Sequence, residues 1–195
     1  MKAETIRRAI FLDRDGTISS DEFGYITDPA AYHLFPNTGE ALRLLRSLGY
    51  YLFIVTNQSG IARGWVSLEQ LNSVHARMRE LLLGEGVTLD RIFYSPYFKD
   101  GVIEPYNVQH EDRKPGLGMF KTAKQEFDFD TRQSWMVGDR YSDVAFGKKA
   151  GLRTILLLTG NGRKEMLTGF QGWDYEPDFI AENILTAAAL IERLS

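Results

Sequence analysis

Two carboxylates near the start of the chain give its strongest chemical signal. Asp13 and Asp15 lie in the segment Asp13-Arg14-Asp15-Gly16-Thr17, directly after the apolar run 9–12. Residues two apart in an extended chain point to the same side, so both carboxylates can face one ligand. One could attack phosphorus while the other transfers a proton. Because Asp and Gly are also common in structural turns, this segment alone does not settle the chemistry.

Three further segments offer a hydroxyl, a lysine and more carboxylates. They are Thr56-Asn57, Arg113-Lys114-Pro115 and Gly138-Asp139-x-x-x-Asp143. Each has an ordinary structural explanation, such as a helix cap or a solvated surface charge. Each also lies at the predicted end of a strand or start of a helix, where an anion can bind. Their joint occurrence favours a single site for a phosphorylated ligand.

Short strands and longer helices alternate along the chain and would position these residues. Apolar runs predict strands at 9–12, 51–55, 91–94, 134–137 and 154–158. Helical periodicity predicts helices at about 38–48, 68–82, 117–127, 141–150 and 181–194, with Ser67 and Gln70 as a capping box for the second. This alternation is typical of an α/β protein with a Rossmann-like parallel sheet sandwiched between helices. We predict one domain over 1–195, with long loops at 95–116 and 159–178.

Composition restricts the classes of function. The hydrophobic fraction of 44% indicates a globular protein, and a net charge of −3 gives no support for binding to nucleic acid or a membrane surface. Without cysteine, disulfides and thiolate metal sites are excluded. The first apolar run has only four residues before a carboxylate, too few for a signal peptide or a membrane span. We therefore expect a cytoplasmic protein.

The four polar segments together resemble the motifs of the haloacid dehalogenase (HAD) superfamily of phosphatases. The resemblance extends over residues 9 to about 158 and implies a HAD-like fold without a large cap domain. The segments FLDRDGT, TNQSGIARG, RKP and MVGDR resemble most closely the branch that acts on D-glycero-D-manno-heptose 1,7-bisphosphate. The histidinol-phosphate phosphatases are similar around the first aspartates but differ over 59–64. The implied substrate is a small sugar phosphate, and the absence of a cap favours a monomer.

The resemblance implies a role for each residue of the motifs. Asp13 would be the nucleophile that forms an aspartyl-phosphate, and Asp15 would be the general acid and then the base. Thr56 would hold the phosphoryl oxygens, while Lys114 would add a positive charge beside them.

A magnesium ion would be held at the same place. Its expected ligands are the carboxylates of Asp13 and Asp139 and the backbone carbonyl of Asp15, which match the oxygen ligands that Mg²⁺ prefers. Asp143 would lie behind the ion and anchor a metal-bound water or Lys114.

The resemblance also implies contacts with the sugar or with a second phosphate. The expected substrate-binding residues are Asp21, Gly24, Tyr25, Asn57, Gln58, Ser59, Arg63, Arg113 and Arg140. Arginine binds phosphate through two parallel hydrogen bonds, so Arg113 and Arg140 suit a bisphosphate. For Arg63 a plain surface role is equally open.

The loop before Lys114 departs from the branch it resembles. Ser95-Pro96-Tyr97 and His110-Glu111-Asp112 stand where these phosphatases commonly carry Cys-x-His and Cys-x-Cys ligands for a structural zinc. His110 and Asp112 offer at most two good ligands, whereas a closed zinc site needs four. We therefore predict no zinc and a loop held by aromatic packing. The aromatic residues concerned are Phe93, Tyr94, Tyr97, Phe98 and Tyr106.

Two other functions remain open at this point. A phospho-accepting receiver also uses Asp, Mg²⁺, Thr and Lys on a parallel sheet, but its accepting Asp follows a middle strand and it lacks a partner such as Asp15. An inactive binding module is the other alternative, although every motif residue is present. Among enzymes, histidinol phosphate or another small phosphomonoester is the alternative substrate.

Overall fold

A six-stranded parallel sheet forms the centre of the molecule. The structure is a computed structural model that describes residues 6–20, 24–168 and 172–195. The strands are β1 (Ala9–Leu12), β2 (Tyr51–Asn57), β3 (Arg91–Ser95), β4 (Trp135–Gly138), β5 (Arg153–Leu157) and β6 (Phe179–Ala181). Their order is β3-β2-β1-β4-β5-β6, and every neighbouring pair is parallel. The chain leaves β1 for β2 on one side and reaches β4 on the other, which creates a crevice at the carboxyl ends of these strands.

Helices cover both faces of the sheet, as the sequence predicts. They are α1 (Thr38–Ser47), α2 (Leu68–Gly84), α3 (Gly118–Glu126), α4 (Tyr141–Ala150), α5 (Gly162–Leu167) and α6 (Ile184–Arg193). Successive residues of β1 point to opposite faces, so Ile10 and Leu12 pack with α1, α2 and α6, whereas Phe11 packs with α3 and α4. No helix among the described residues is both long and apolar enough to cross a membrane.

The start of α2 shows how local sequence fixes a boundary. The Ser67 hydroxyl accepts a hydrogen bond from the backbone N–H of Gln70 at 3.0 Å, and the Gln70 side chain accepts one from the Ser67 N–H at 2.8 Å. This reciprocal pair is the predicted capping box. Leu68, the first residue of α2, is 37% exposed.

Two elements near the end of the chain differ from the sequence prediction. Ala181 belongs to a strand, β6, which pairs with β5 through the register Ile155↔Phe179. The last helix begins only at Ile184, after the Asn183 side chain accepts a hydrogen bond from the Thr186 N–H at 3.0 Å. The predicted loop 159–178 contains a helix of its own, α5. β2 is also two residues longer than predicted, so Thr56 and Asn57 lie in the strand rather than after it.

Truncation of the central phenylalanine should test the core beneath the site. Phe11 is fully buried, and its ring centroid lies 5.2 Å from that of Phe53 and 5.6 Å from that of Phe129. Phe11→Ala should lower the free energy of unfolding by ~3–5 kcal/mol, because it leaves a cavity between closely packed rings. Urea denaturation measures the loss. Leu167→Ala, at a side chain that is 80% exposed, is the control and should change stability by less than about 0.5 kcal/mol.

Candidate active site

The loop after β1 brings Asp13 to the floor of the crevice. The backbone N–H of Asp13 donates to the carbonyl of Val137 in β4 at 3.0 Å, so the nucleophile candidate is fixed to the neighbouring strand. Gly16 follows with φ of +82°, and a Cβ there would lie 2.3 Å from Oδ2 of Asp139. Only glycine therefore permits both the left-handed turn and the close approach of this loop to Asp139.

Lys114 joins the loop after β1, strand β2 and helix α4. Its ammonium lies 2.9 Å from Oδ1 of Asp13 and 2.6 Å from Oδ1 of Asp143, and it donates to the carbonyl of Val55 at 2.6 Å. Burial lowers the pKa of Lys114, but the two carboxylates outweigh this effect and raise the pKa above its ordinary value. The lysine is therefore a fixed positive charge at the floor of the site.

Asn57, predicted to contact substrate, holds the backbone of this lysine. Its side-chain oxygen accepts a hydrogen bond from the Lys114 N–H at 2.9 Å, and its amide nitrogen donates to the Lys114 carbonyl at 3.1 Å. Both polar ends of the amide are thus used to orient Lys114 from β2. Asn57 also lines the pocket, but its hydrogen bonds are to the protein.

Three buried carboxylates lie close enough together to hold a cation. Asp13, Asp139 and Asp143 each offer an oxygen, and these oxygens lie within 4.8 Å of one another. Burial, followed by the charges of Asp13 and Asp143, raises the pKa of Asp139 to about 8. Burial also raises the pKa of Asp13 to about 6, against the lowering effect of Lys114. When all three carboxylates are ionised, the one ammonium leaves two negative charges without compensation, which a divalent cation fits.

The carboxylate of Asp15 is held by the side chains of Arg14 and Gln58. Arg14 Nε and Nη2 donate to the two oxygens of its carboxylate at 3.0 and 2.8 Å. Gln58 Nε2 lies 2.9 Å from Oδ2 of Asp15 and 2.8 Å from the Thr56 hydroxyl. Gln58 therefore links the two residues predicted to transfer a proton and to hold phosphoryl oxygens. The sequence analysis did not single out Arg14. An ion pair between two adjacent residues produces no recognisable spacing in a sequence.

A pocket of about 660 Å³ opens above these residues, within the usual size of a small-ligand site. It is lined by Asp13, Arg14, Asp15, Gly24, Tyr25, Thr56, Asn57, Gln58, Ser59, Arg63, Arg113, Lys114, Arg140, Tyr141, Ser142, Glu165 and Trp173. All predicted catalytic residues lie here, as do the predicted substrate contacts within the described residues. Asp21 lies outside the described residues. No motif includes Tyr141, Ser142, Glu165 or Trp173, and no sequence pattern pointed to them.

One wall of the pocket is positively charged. The guanidinium carbons of Arg63 and Arg113 lie 4.0 and 5.1 Å from the ring centroid of Phe98. Burial and the charges of Arg63 and Arg140 lower the pKa of Arg113, against the opposite effect of Tyr25. Within the described part of the chain, neither Arg63 nor Arg113 pairs with a carboxylate, and Nε of Arg63 is buried without a hydrogen-bond partner. This wall is suited to an anion.

The loop 95–116 is held by aromatic packing, as predicted. Tyr97 stacks on His110 with ring centroids 3.8 Å apart, and it packs against Tyr106 at 5.8 Å. Nδ1 of His110 accepts a hydrogen bond from the Asp112 N–H at 3.2 Å. Two residues of the predicted set differ: Phe93 packs in the sheet core, and the Phe98 ring lies against the guanidinium groups of Arg63 and Arg113.

The parallel sheet and the Asp–Lys–Asp site are those of the haloacid dehalogenase-like hydrolases. A model of this class, described as HAD-hydrolase-like, matches residues 112–187. The chain is 35% identical over 189 residues to the D-glycero-D-manno-heptose-1,7-bisphosphate 7-phosphatase of Thermosynechococcus vestitus, with 95% of each chain covered. It is 41% identical over 156 residues to the D-glycero-beta-D-manno-heptose-1,7-bisphosphate 7-phosphatase of Pasteurella multocida, with 80% of this chain and 84% of that one covered. The chain belongs to this family of phosphatases.

A solved structure supports the same assignment. The D,D-heptose 1,7-bisphosphate phosphatase from B. bronchiseptica, complexed with magnesium and phosphate, superposes with a TM-score of 0.84 at 29% identity. The match covers 96% of this chain and 99% of that chain. Membership of a phosphatase family sets aside the receiver alternative.

Removal of the buried lysine charge should be costly in the absence of metal. Lys114→Met would leave Asp13 and Asp143 buried without their cation, and we expect a loss of ~3–5 kcal/mol in the free energy of unfolding. Denaturation in chelator measures this loss. Lys121→Met removes an exposed ion pair with Glu111 and is the matched control, expected to cost less than about 1 kcal/mol. Equal losses in both variants would contradict the stabilising role of Lys114.

Proposed function

We propose that this protein hydrolyses the 7-phosphate of D-glycero-D-manno-heptose 1,7-bisphosphate. The curated relatives are named for this activity, and the B. bronchiseptica structure holds phosphate and magnesium. The observation that carries the proposal is the division of one pocket into two parts. Asp13 and Lys114, 2.9 Å apart, lie on its floor, and the guanidinium groups of Arg63 and Arg113, which pair with no carboxylate among the described residues, line the wall near Phe98. Such a pocket suits a substrate with two phosphates, of which one reacts.

The reaction that we propose has two steps. A carboxylate oxygen of Asp13 forms a bond to phosphorus while the bond from phosphorus to the sugar oxygen breaks, and Asp15 in its acid form gives that oxygen a proton. Asp15 then accepts a proton from water, whose oxygen attacks the aspartyl-phosphate and releases inorganic phosphate. Lys114 balances charge on the phosphoryl oxygens, and the Thr56 hydroxyl donates a hydrogen bond to them.

We propose that Asp13, Asp139 and the backbone carbonyl of Asp15 hold Mg²⁺. Bound there, the ion supplies the positive charge that allows a phosphate dianion to approach a carboxylate. Asp143 has another role, since Oδ1 lies 2.6 Å from the Lys114 ammonium and Oδ2 accepts the Arg140 N–H at 3.0 Å. These contacts favour the predicted position of Asp143 behind the ion.

The other sequence-based expectations stay proposals. We propose a single domain over 1–195, a monomer, and a cytoplasmic enzyme that binds neither nucleic acid nor membrane. We also propose that the loop 95–116 holds no zinc. The His110 ring stacks on Tyr97, and its Nδ1 already accepts a hydrogen bond from the backbone N–H of Asp112. One zinc per chain in metal analysis would contradict this proposal.

The substrate can be tested with a panel of phosphates. Heptose 1,7-bisphosphate, as both anomers, should give the highest kcat/KM, ahead of fructose 1,6-bisphosphate and histidinol phosphate. It should release one phosphate per molecule. Asp13→Asn should abolish turnover while the protein stays folded, whereas Asp128→Asn, at an exposed side chain, should not. A preference for histidinol phosphate would contradict the proposed substrate, and turnover by Asp13→Asn would contradict the mechanism.

Magnesium should stabilise the folded protein, since it binds a site that the unfolded chain lacks. At a concentration of 100 times its Kd, we expect a gain of about 2.7 kcal/mol in the free energy of unfolding. Thermal denaturation with Mg²⁺ and with EDTA measures the difference without any substrate. Asp139→Asn should greatly reduce the shift because it removes a ligand charge. A full shift in this variant would exclude Asp139 as a ligand.

A further inference from the structure

Part of the pocket wall takes no role in the reaction proposed above. Tyr141 is the first residue of α4, two positions after Asp139, and Trp173 lies between α5 and β6. Their ring centroids are 4.6 Å apart with planes inclined at 39°. The Asp174 N–H donates to the Tyr141 hydroxyl at 3.2 Å and so fastens the Trp173 segment to α4. Both rings line the pocket.

These two rings are not part of the protein core. Neither Tyr141 nor Trp173 belongs to a hydrophobic cluster of the described residues, and both are only half-buried. Tyrosine and tryptophan in such positions offer a large apolar face beside water. Apolar surface at the wall of a pocket gains free energy when a ligand covers it.

Two polar side chains lie on the same part of the wall. Ser142 follows Tyr141 in α4, and Glu165 is half-buried in α5. Glu165 pairs with no cation within the described part of the chain. A carboxylate there would repel a phosphate but can accept hydrogen bonds from hydroxyl groups. This wall is therefore opposite in chemical character to the wall that carries Arg63 and Arg113.

We propose that Tyr141, Trp173, Ser142 and Glu165 form a binding site for the uncharged sugar ring of the substrate. The C–H face of the ring covers the aromatic pair, and its hydroxyls donate to Glu165 and Ser142. The second phosphate then lies with Arg63 and Arg113. The inference rests on the proposed function, because it takes the ligand to be a sugar phosphate. It assigns the residues that select the sugar.

The test compares a sugar phosphate with a phosphate that carries no ring. Trp173→Leu should raise KM for heptose 1,7-bisphosphate about tenfold with little change in kcat, which corresponds to one aromatic contact. Its kcat/KM for heptose 1,7-bisphosphate relative to acetyl phosphate should fall by a similar factor. Glu165→Ala should lower the same ratio, and Trp173→Phe, which keeps an aromatic face, should restore most of it. Leu167→Ala, exposed on α5, is the control and should leave the ratio unchanged.

Two outcomes would overturn the inference. One is an equal loss of kcat/KM for heptose 1,7-bisphosphate and acetyl phosphate in Trp173→Leu, which indicates a structural effect. The other is a wild-type preference for a nucleoside monophosphate, which would assign the rings to a base. If the wild type instead prefers fructose 1,6-bisphosphate, the proposed substrate is wrong but the sugar site is tested in the same way with that sugar. Failure of the two proposals is thus distinguishable.

Discussion

The buried ammonium of Lys114 is the interaction on which the rest of the site depends. It reaches Asp13 after β1, the Val55 carbonyl in β2 and Asp143 in α4, so one side chain fixes three elements of the fold relative to one another. A buried ammonium is stable only beside carboxylates, and buried carboxylates are stable only beside cations, so each group needs the other. The lysine thus couples the stability of the crevice to its chemistry.

The charge on the pocket floor and the charge on its wall have different origins. The floor is negative when its three carboxylates are ionised, because they outnumber the one lysine. The wall is positive because Arg63 and Arg113 both lie near the Phe98 ring and pair with no carboxylate among the described residues. A divalent cation on the floor would neutralise the two remaining negative charges, and a phosphate could then approach Asp13. The wall needs no metal for its affinity. A bisphosphate can therefore bind both places for separate physical reasons.

The sequence was informative wherever a local rule determines structure. α4 was predicted with its observed limits because Gly151, at φ of +76°, ends it by a rule that involves only neighbouring residues. β6 was missed because a three-residue strand is stabilised by pairing with β5 rather than by its own pattern. The same distinction applies within the site. Asp13 and Lys114 were found from motifs, whereas the contact of Gln58 with Asp15 depends on where two distant loops meet.

This distinction explains why the reaction was easier to predict than the substrate. The reacting groups follow buried strands, whose positions are fixed by the sheet and whose sequence patterns are short and local. The residues proposed to meet the rest of the substrate come from the loop after β2, the loop 95–116, the start of α4 and the segment around α5. The sequence presents the loop 95–116 and the segment around α5 only as long loops. Tyr141 connects the two sets, because it begins the helix that carries Asp143 and holds the segment of Trp173 by its hydroxyl. A change of sugar specificity can therefore arise at Trp173 or Glu165 without disturbing the groups that hold phosphorus.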